Sequence, residues 1–164
     1  MTTYTTVFGS LADYRKGTIE VIDEDPKHYA FSNMFEVAST ARPYEKVAVA
    51  KNMQYVLETI RAEGTDVWRT CSHDESVLCV DGEVVVELVK LDQPVAPADK
   101  EGSIRLPGEP QGPRMGRVTL RRGHMALLPA NAAYRFSAAQ PAVLLQQTIV
   151  GDDTVERWAE ICLS

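Results

Sequence analysis

Gly64-Thr-Asp-Val-Trp-Arg-Thr-Cys-Ser-His-Asp-Glu-Ser-Val-Leu-Cys-Val-Asp-Gly82 decides how the rest of the chain is read. A glycine opens it. The pair Asp81-Gly82 closes it with a strong hairpin signal, because glycine accepts the positive φ that such turns demand. From Trp68 to Val80, polar or ionisable groups recur at every second position. Residues two apart on a strand share a face, so an extended chain would aim Arg69, Cys71, His73 and Glu75 the same way. Three of these four residue types can ligate a metal ion. Cys71 near His73 also has the chemistry of a thiol nucleophile with its base, although no third, orienting group is identifiable.

A second stretch, Arg122-Gly-His-Met-Ala-Leu-Leu-Pro-Ala-Asn-Ala-Ala-Tyr134, has the same turn, strand, turn character. Together the two resemble the paired motifs of the cupin superfamily. Glu75, six residues and Gly82 match the end of the first motif, and Gly123, five residues and Pro129 match the start of the second. The departures fall on the metal ligands. Arg69 and Cys71 stand where the first motif has its two histidines, and Tyr134 stands where the second has its own. Asn131 replaces a usual glycine. The resemblance implies an all-β fold, a cupin (double-stranded β-helix or jelly-roll barrel), and of the four ligand positions it leaves only Glu75. A guanidinium is a fixed cation and repels a metal, so the expectation is a barrel with no metal of its own. A bulge that slipped the register would bring His73 to the barrel axis, which keeps open a metal held by Cys71, His73 and Glu75.

Length and charge narrow the classes further. The 164 residues fit one domain, and 45% hydrophobic residues suffice for a real core. A net charge of −6 disfavours nucleic-acid binding. Cys71, Cys79 and Cys162 show no paired spacing, the start Met-Thr-Thr-Tyr-Thr-Thr lacks the features of a secretion signal, and no apolar run approaches a membrane span. The expectation is a cytoplasmic protein with reduced thiols. No nucleotide-binding glycine loop and no GxSxG elbow occurs.

Working outward, the expected organisation is a single domain over 1–164, with an N-terminal extension over 1–44, a barrel over 45–150 and a closing helix over 151–164. Ser10 to Lys16 reads as one or two helical turns, Thr18–Ile22 and Tyr29–Val37 as strands, and Asp23–Pro26 as a turn. The aromatic run suits core packing, or an arm that grips a partner. Residues 45–61 admit either helix or strand by pattern, and a barrel favours strands for at least Tyr55 to Arg61. Lys46 and Lys51 read as surface charges. Glu83 to Leu91 reads as a long strand. Residues 92–116, with five prolines and four glycines, form a long connection with a short strand at Ser103–Leu106. Arg117–Leu120, Met125–Leu128, Tyr134–Phe136 and Ala142–Val150 read as strands. Asp153–Cys162 reads as a helix with an acidic cap and a packed Trp158.

Most of the chain also resembles the small subunits of two-subunit hydroquinone 1,2-dioxygenases. The residues that carry this are Phe31-Ser-Asn-Met-Phe-Glu-Val37, Pro43-Tyr-Glu-Lys-Val-Ala-Val-Ala-Lys-Asn-Met-Gln-Tyr55, Ile60-Arg-Ala-Glu-Gly-Thr-Asp-Val-Trp68, Asp81-Gly-Glu83 and Arg122-Gly-His-Met-Ala-Leu-Leu-Pro-Ala130. The resemblance implies a heterotetramer of two small and two large cupin subunits that cleaves hydroquinone with O2 and Fe(II) to 4-hydroxymuconic semialdehyde. It implies that the iron sits in the large subunit, and that the small one stabilises its partner and helps to close the site. Trp68, at the barrel rim, is then the candidate to meet the partner's aromatic substrate, with rim packing as the alternative. Two other readings stay open. One is a self-sufficient metal cupin using Cys71, His73 and Glu75. The other is a metal-free small-molecule binder using Arg69, Glu75 and Tyr134, in which Arg69 and Glu75 neutralise each other inside the barrel.

Overall fold

The computed structural model describes residues 9–15, 33–158 and 160. Among these residues, ten strands follow the short helix α1: α1 (Met34–Thr40), β1 (Lys46–Asn52), β2 (Tyr55–Thr65), β3 (Arg69–Thr70), β4 (Glu75–Asp81), β5 (Glu83–Lys90), β6 (Ile104–Arg105), β7 (Arg114–Arg121), β8 (Met125–Leu128), β9 (Ala132–Ile149) and β10 (Thr154–Val155). They form one curled sheet organised by β9. One edge of β9 pairs with β2 and then β3, and the other with β4 and β5. Sharing one strand between two flanking sets bends the sheet on itself and gives the cupin barrel.

The interior is built by alternation. Ile60 and Ala62 from β2, Val77 and Cys79 from β4, Val84 and Val86 from β5, and Tyr134, Phe136 and Leu144 from β9 meet in the main core. The opposite face of β1 and β2 is covered by α1 and its C-cap, where Val37 and Ala41 pack on Val47 and Val49. Asn33 caps this helix by accepting from the Phe35 N–H. The run from Asn33 is therefore helical where a strand was expected, and Phe35 packs inward beside Tyr14 rather than presenting an aromatic arm.

The turns hold where their residues permit. Gly82 has φ +74°, and a β-carbon there would lie 2.7 Å from that of Ala142. Asn131, in the position where the second motif usually has glycine, also adopts positive φ (59°). Asparagine is among the few side-chain-bearing residues that tolerate this, so the turn outlives the substitution.

Other expectations are corrected. Ser10 to Asp13 is a bend closed by reciprocal backbone bonds, not a helix. Tyr134–Phe136 and the expected strand from Ala142, as far as Ile149, are parts of the single strand β9. The strand expected from Trp68 to Val80 breaks at 71–74 into β3 and β4. The C-terminal helix cannot begin at Asp153, because Thr154 and Val155 pair in parallel with Lys46 and Val47. Trp158 does pack against the cluster that includes Val47. The expected strand Thr18–Ile22, the turn Asp23–Pro26 and the chain after Glu160 lie outside the described residues.

Candidate functional site

β1, β2, β4 and β9 together enclose a buried polar cluster centred on Glu75, the first residue of β4. Its Oε2 accepts from the Tyr134 hydroxyl (2.7 Å), and its Oε1 accepts from the Gln146 amide (2.9 Å) and the Thr148 hydroxyl (2.6 Å). Burial, and then the charge of Glu75, push the Tyr134 phenol well above its ordinary range, so it stays protonated and donates. Lys46, expected at the surface, is buried here. Its Nζ donates to Ser103 Oγ (2.7 Å) and Tyr134 (3.5 Å) and lies 3.7 Å from Glu58. Thr154 in turn donates to Glu58 (2.6 Å). An unpaired charge at this depth would be very costly, which is why cation and carboxylates are enclosed together.

Arg69 does not neutralise Glu75. It is 2% exposed and turned to the other side, held by Asp66 (2.9 and 3.2 Å) and by Asp153, which also receives Arg105 (3.1 Å). Burial works against the Arg69 charge, but the hydrogen bond and charge of Asp66 outweigh it and raise its pKa. Cys71 is buried with its thiol against the Gly102 carbonyl (3.2 Å), and burial followed by the charge of Glu75 pushes it up to about 11. His73 is not brought to the barrel axis. The bend at 71–74 leaves it partly exposed, with Nδ1 3.0 Å from the Asp74 carbonyl. The bend is pinned by Asn131 N–H to the Cys71 carbonyl and Ala130 N–H to the Asp74 carboxylate. Cys71 and His73 therefore make no nucleophile–base pair.

These residues do not fit an iron ion. Both oxygens of Glu75 already accept from this chain's own side chains, Arg69 is a cation and Tyr134 donates rather than ligates. Among the described residues no group of three His, Cys, Asp or Glu is placed to hold a metal.

Trp68 lies outside this cluster, between β2 and β3. It packs on Val89, Leu91 and Ala133, its indole N–H donates to Glu109 (3.0 Å), and the Arg135 guanidinium sits 4.5 Å over its ring. It is 7% exposed, so it does not protrude. It forms the wall of a depression of about 430 Å³ shared with Glu87, Glu109, Arg114, Arg117 and Arg135. Arg135 closes one side by pairing with Glu87 (2.7 Å) and Glu109 (3.4 Å).

Sequence reasoning missed Lys46, Glu58, Gln146 and Thr148. β1 is covered on both faces, so alternation could not say which side was interior. The one signal was the polar run Gln146-Gln147-Thr148 after the apolar stretch Ala142-Val-Leu-Leu145.

No family model and no curated protein matches the sequence. Among solved structures, the chain is 54% identical over 99% of its length, and 98% of the other chain, to one chain of hydroquinone 1,2-dioxygenase PnpCD in complex with Cd2+ and 4-hydroxybenzonitrile (TM-score 0.90). It is 55% identical over 98% of both chains to one from hydroquinone 1,2-dioxygenase of Sphingomonas sp. TTNP3 with 4-hydroxybenzoate bound (TM-score 0.91). It also shares its fold, at 13% identity and TM-score 0.59, with 38% of a longer chain in PnpCD in complex with Fe3+.

Proposed function

Since this chain belongs to the hydroquinone 1,2-dioxygenase family, we propose that it is the smaller, metal-free cupin subunit of an enzyme that opens the hydroquinone ring with O2. The resemblance of the fold to part of a longer chain in PnpCD supports a larger cupin partner, in which we place the Fe(II). One observation carries the division of labour. At the positions where a cupin holds its metal, this chain has a carboxylate saturated by its own donors and an arginine clamped by two aspartates. Its stoichiometry with the partner, two of each in the resembling family, and its cytoplasmic location belong to the same reading. No helix among the described residues is long and apolar enough to cross a membrane.

When bound in the partner, iron would supply the oxygen chemistry. The contribution of this chain is shape and exclusion. Trp68 offers a fixed aromatic wall, its ring orientation set by Glu109 at the indole nitrogen and Arg135 over the face. A partner laid over the depression would trap that wall against an aromatic substrate and keep water away. The indole need not swing outward for this.

The test is expression of this chain with and without the larger chain. Alone it should hold no stoichiometric iron and show no hydroquinone-dependent oxygen uptake, and both should appear in the complex. Stoichiometric iron or ring cleavage in the isolated chain would reject the reading. In the complex, Trp68→Ala should raise KM for hydroquinone roughly tenfold with iron content unchanged, while Trp68→Phe should recover most of the loss.

A further inference from the structure

β7 is an open edge. It pairs with β5 alone, and all but Leu120 of its residues are exposed. Exposed edges invite pairing and are normally blunted or covered. Two apolar side chains sit uncovered on it, Met115 (49% exposed) and Val118 (38%).

The strand is also irregular in a directed way. Leu88 pairs with Gly116 but Val89 pairs with Arg114, so Met115 is an extra residue bulged out of the ladder. Gly116, with φ +152°, supplies the backbone this needs. Without the bulge Arg114 and Arg117 would lie on opposite faces. With it, both fall on the face of Glu87 and Val89, and both line the Trp68 depression. Among the described residues neither has an ion pair, in contrast to Arg121, Arg122 and Arg135, which are bound to Glu83, Asp81 and Glu87. No Asp or Glu occurs between Glu109 and Asp152, a stretch with five arginines in a chain of net charge −6.

We propose that β7 is the docking edge for the larger cupin chain, with Arg114 and Arg117 receiving carboxylates of that chain at the rim of the Trp68 depression. This rests on the functional reading above and locates its interface. Charge selects the occupant: a second copy laid edge to edge would oppose the same unpaired guanidiniums, whereas an apolar strip flanked by carboxylates satisfies them. Methionine and arginine beside a buried aromatic are the composition of a protein interface.

The test uses both chains co-expressed, with Arg114→Glu/Arg117→Glu in this chain and Arg42→Glu, elsewhere on the surface, as control. Dissociation constants are measured over a salt series, with melting temperatures of the isolated small chain. The double variant should bind about 30-fold or more weakly and lose part of its salt dependence, with an unchanged melting temperature, and the control should bind as wild type. Wild-type affinity in the double variant, while the wild-type chains associate normally, overturns this inference alone. A wild-type homodimer abolished by the same substitutions also overturns it, because the edge then belongs to a second copy. If the wild-type chains never associate, the functional reading falls and takes this inference with it.

Discussion

Glu75 shows how a ligand residue changes occupation without changing place. It occupies the carboxylate position of the cupin motif, but Tyr134, Gln146 and Thr148 use its two oxygens. Removing one donor therefore strands a buried acceptor. Tyr134→Phe should lower stability by about 1–3 kcal/mol, read as a fall in melting temperature, with no change in the iron content of the assembled enzyme. Cys71 gives a second outcome at this scale. With its pKa pushed up to about 11 and its thiol against a carbonyl, it should resist a thiolate-specific reagent at pH 8 in the native chain and react once denatured. Glu75, Arg69 and Tyr134 could be singled out from motif spacing, but their pairing could not. Arg69 found Asp66, three residues away, and Asp153, which sequence reading assigned to a helix cap. Long-range partners of a buried charge leave no local trace.

Among the elements, the hairpins were legible because Gly and Asn mark positive φ. Gly82→Ala should cost about 1–3 kcal/mol, through both its backbone and the contact with Ala142, and should be measurable by denaturant unfolding. What the pattern hid were the places where tertiary pairing overrides local preference. The 153–162 segment has a good helical pattern, yet Thr154 and Val155 join the parallel edge of β1. β9 contains Pro141 and would be cut there by local rules, but runs unbroken through eighteen residues. The turns of the two motifs are also tied electrostatically. Burial resists ionisation of Asp81, but the Arg122 guanidinium outweighs it, and the carboxyl lies below its ordinary 3.8. A lowered folded value means stability that is complete above the unfolded pKa and lost as pH falls through the folded one. The tie should therefore weaken only below about pH 4. Asp81→Asn should erase that acid-side component of the stability curve, at a cost near neutrality of about 1 kcal/mol, since Arg122 is largely solvated and the pair is screened.

At the scale of the whole molecule, fold class followed from two short motifs, and the missing imidazoles with the family resemblance already pointed to a partner chain, whereas the partners that occupy Glu75 and Arg69 needed the geometry. The dominance of β9 has a consequence for biogenesis. Every strand it binds, β2 to β5, is synthesised before it. Until residue 149 has been translated, four strands wait with raw hydrogen-bonding margins and oily inner surfaces, and no local hairpin can shut the structure. A chain ending at residue 131 should consequently be insoluble or lack a cooperative melt by circular dichroism. The nascent polypeptide thus cannot shut its barrel, or offer a companion chain a finished surface, before residue 149 has been added.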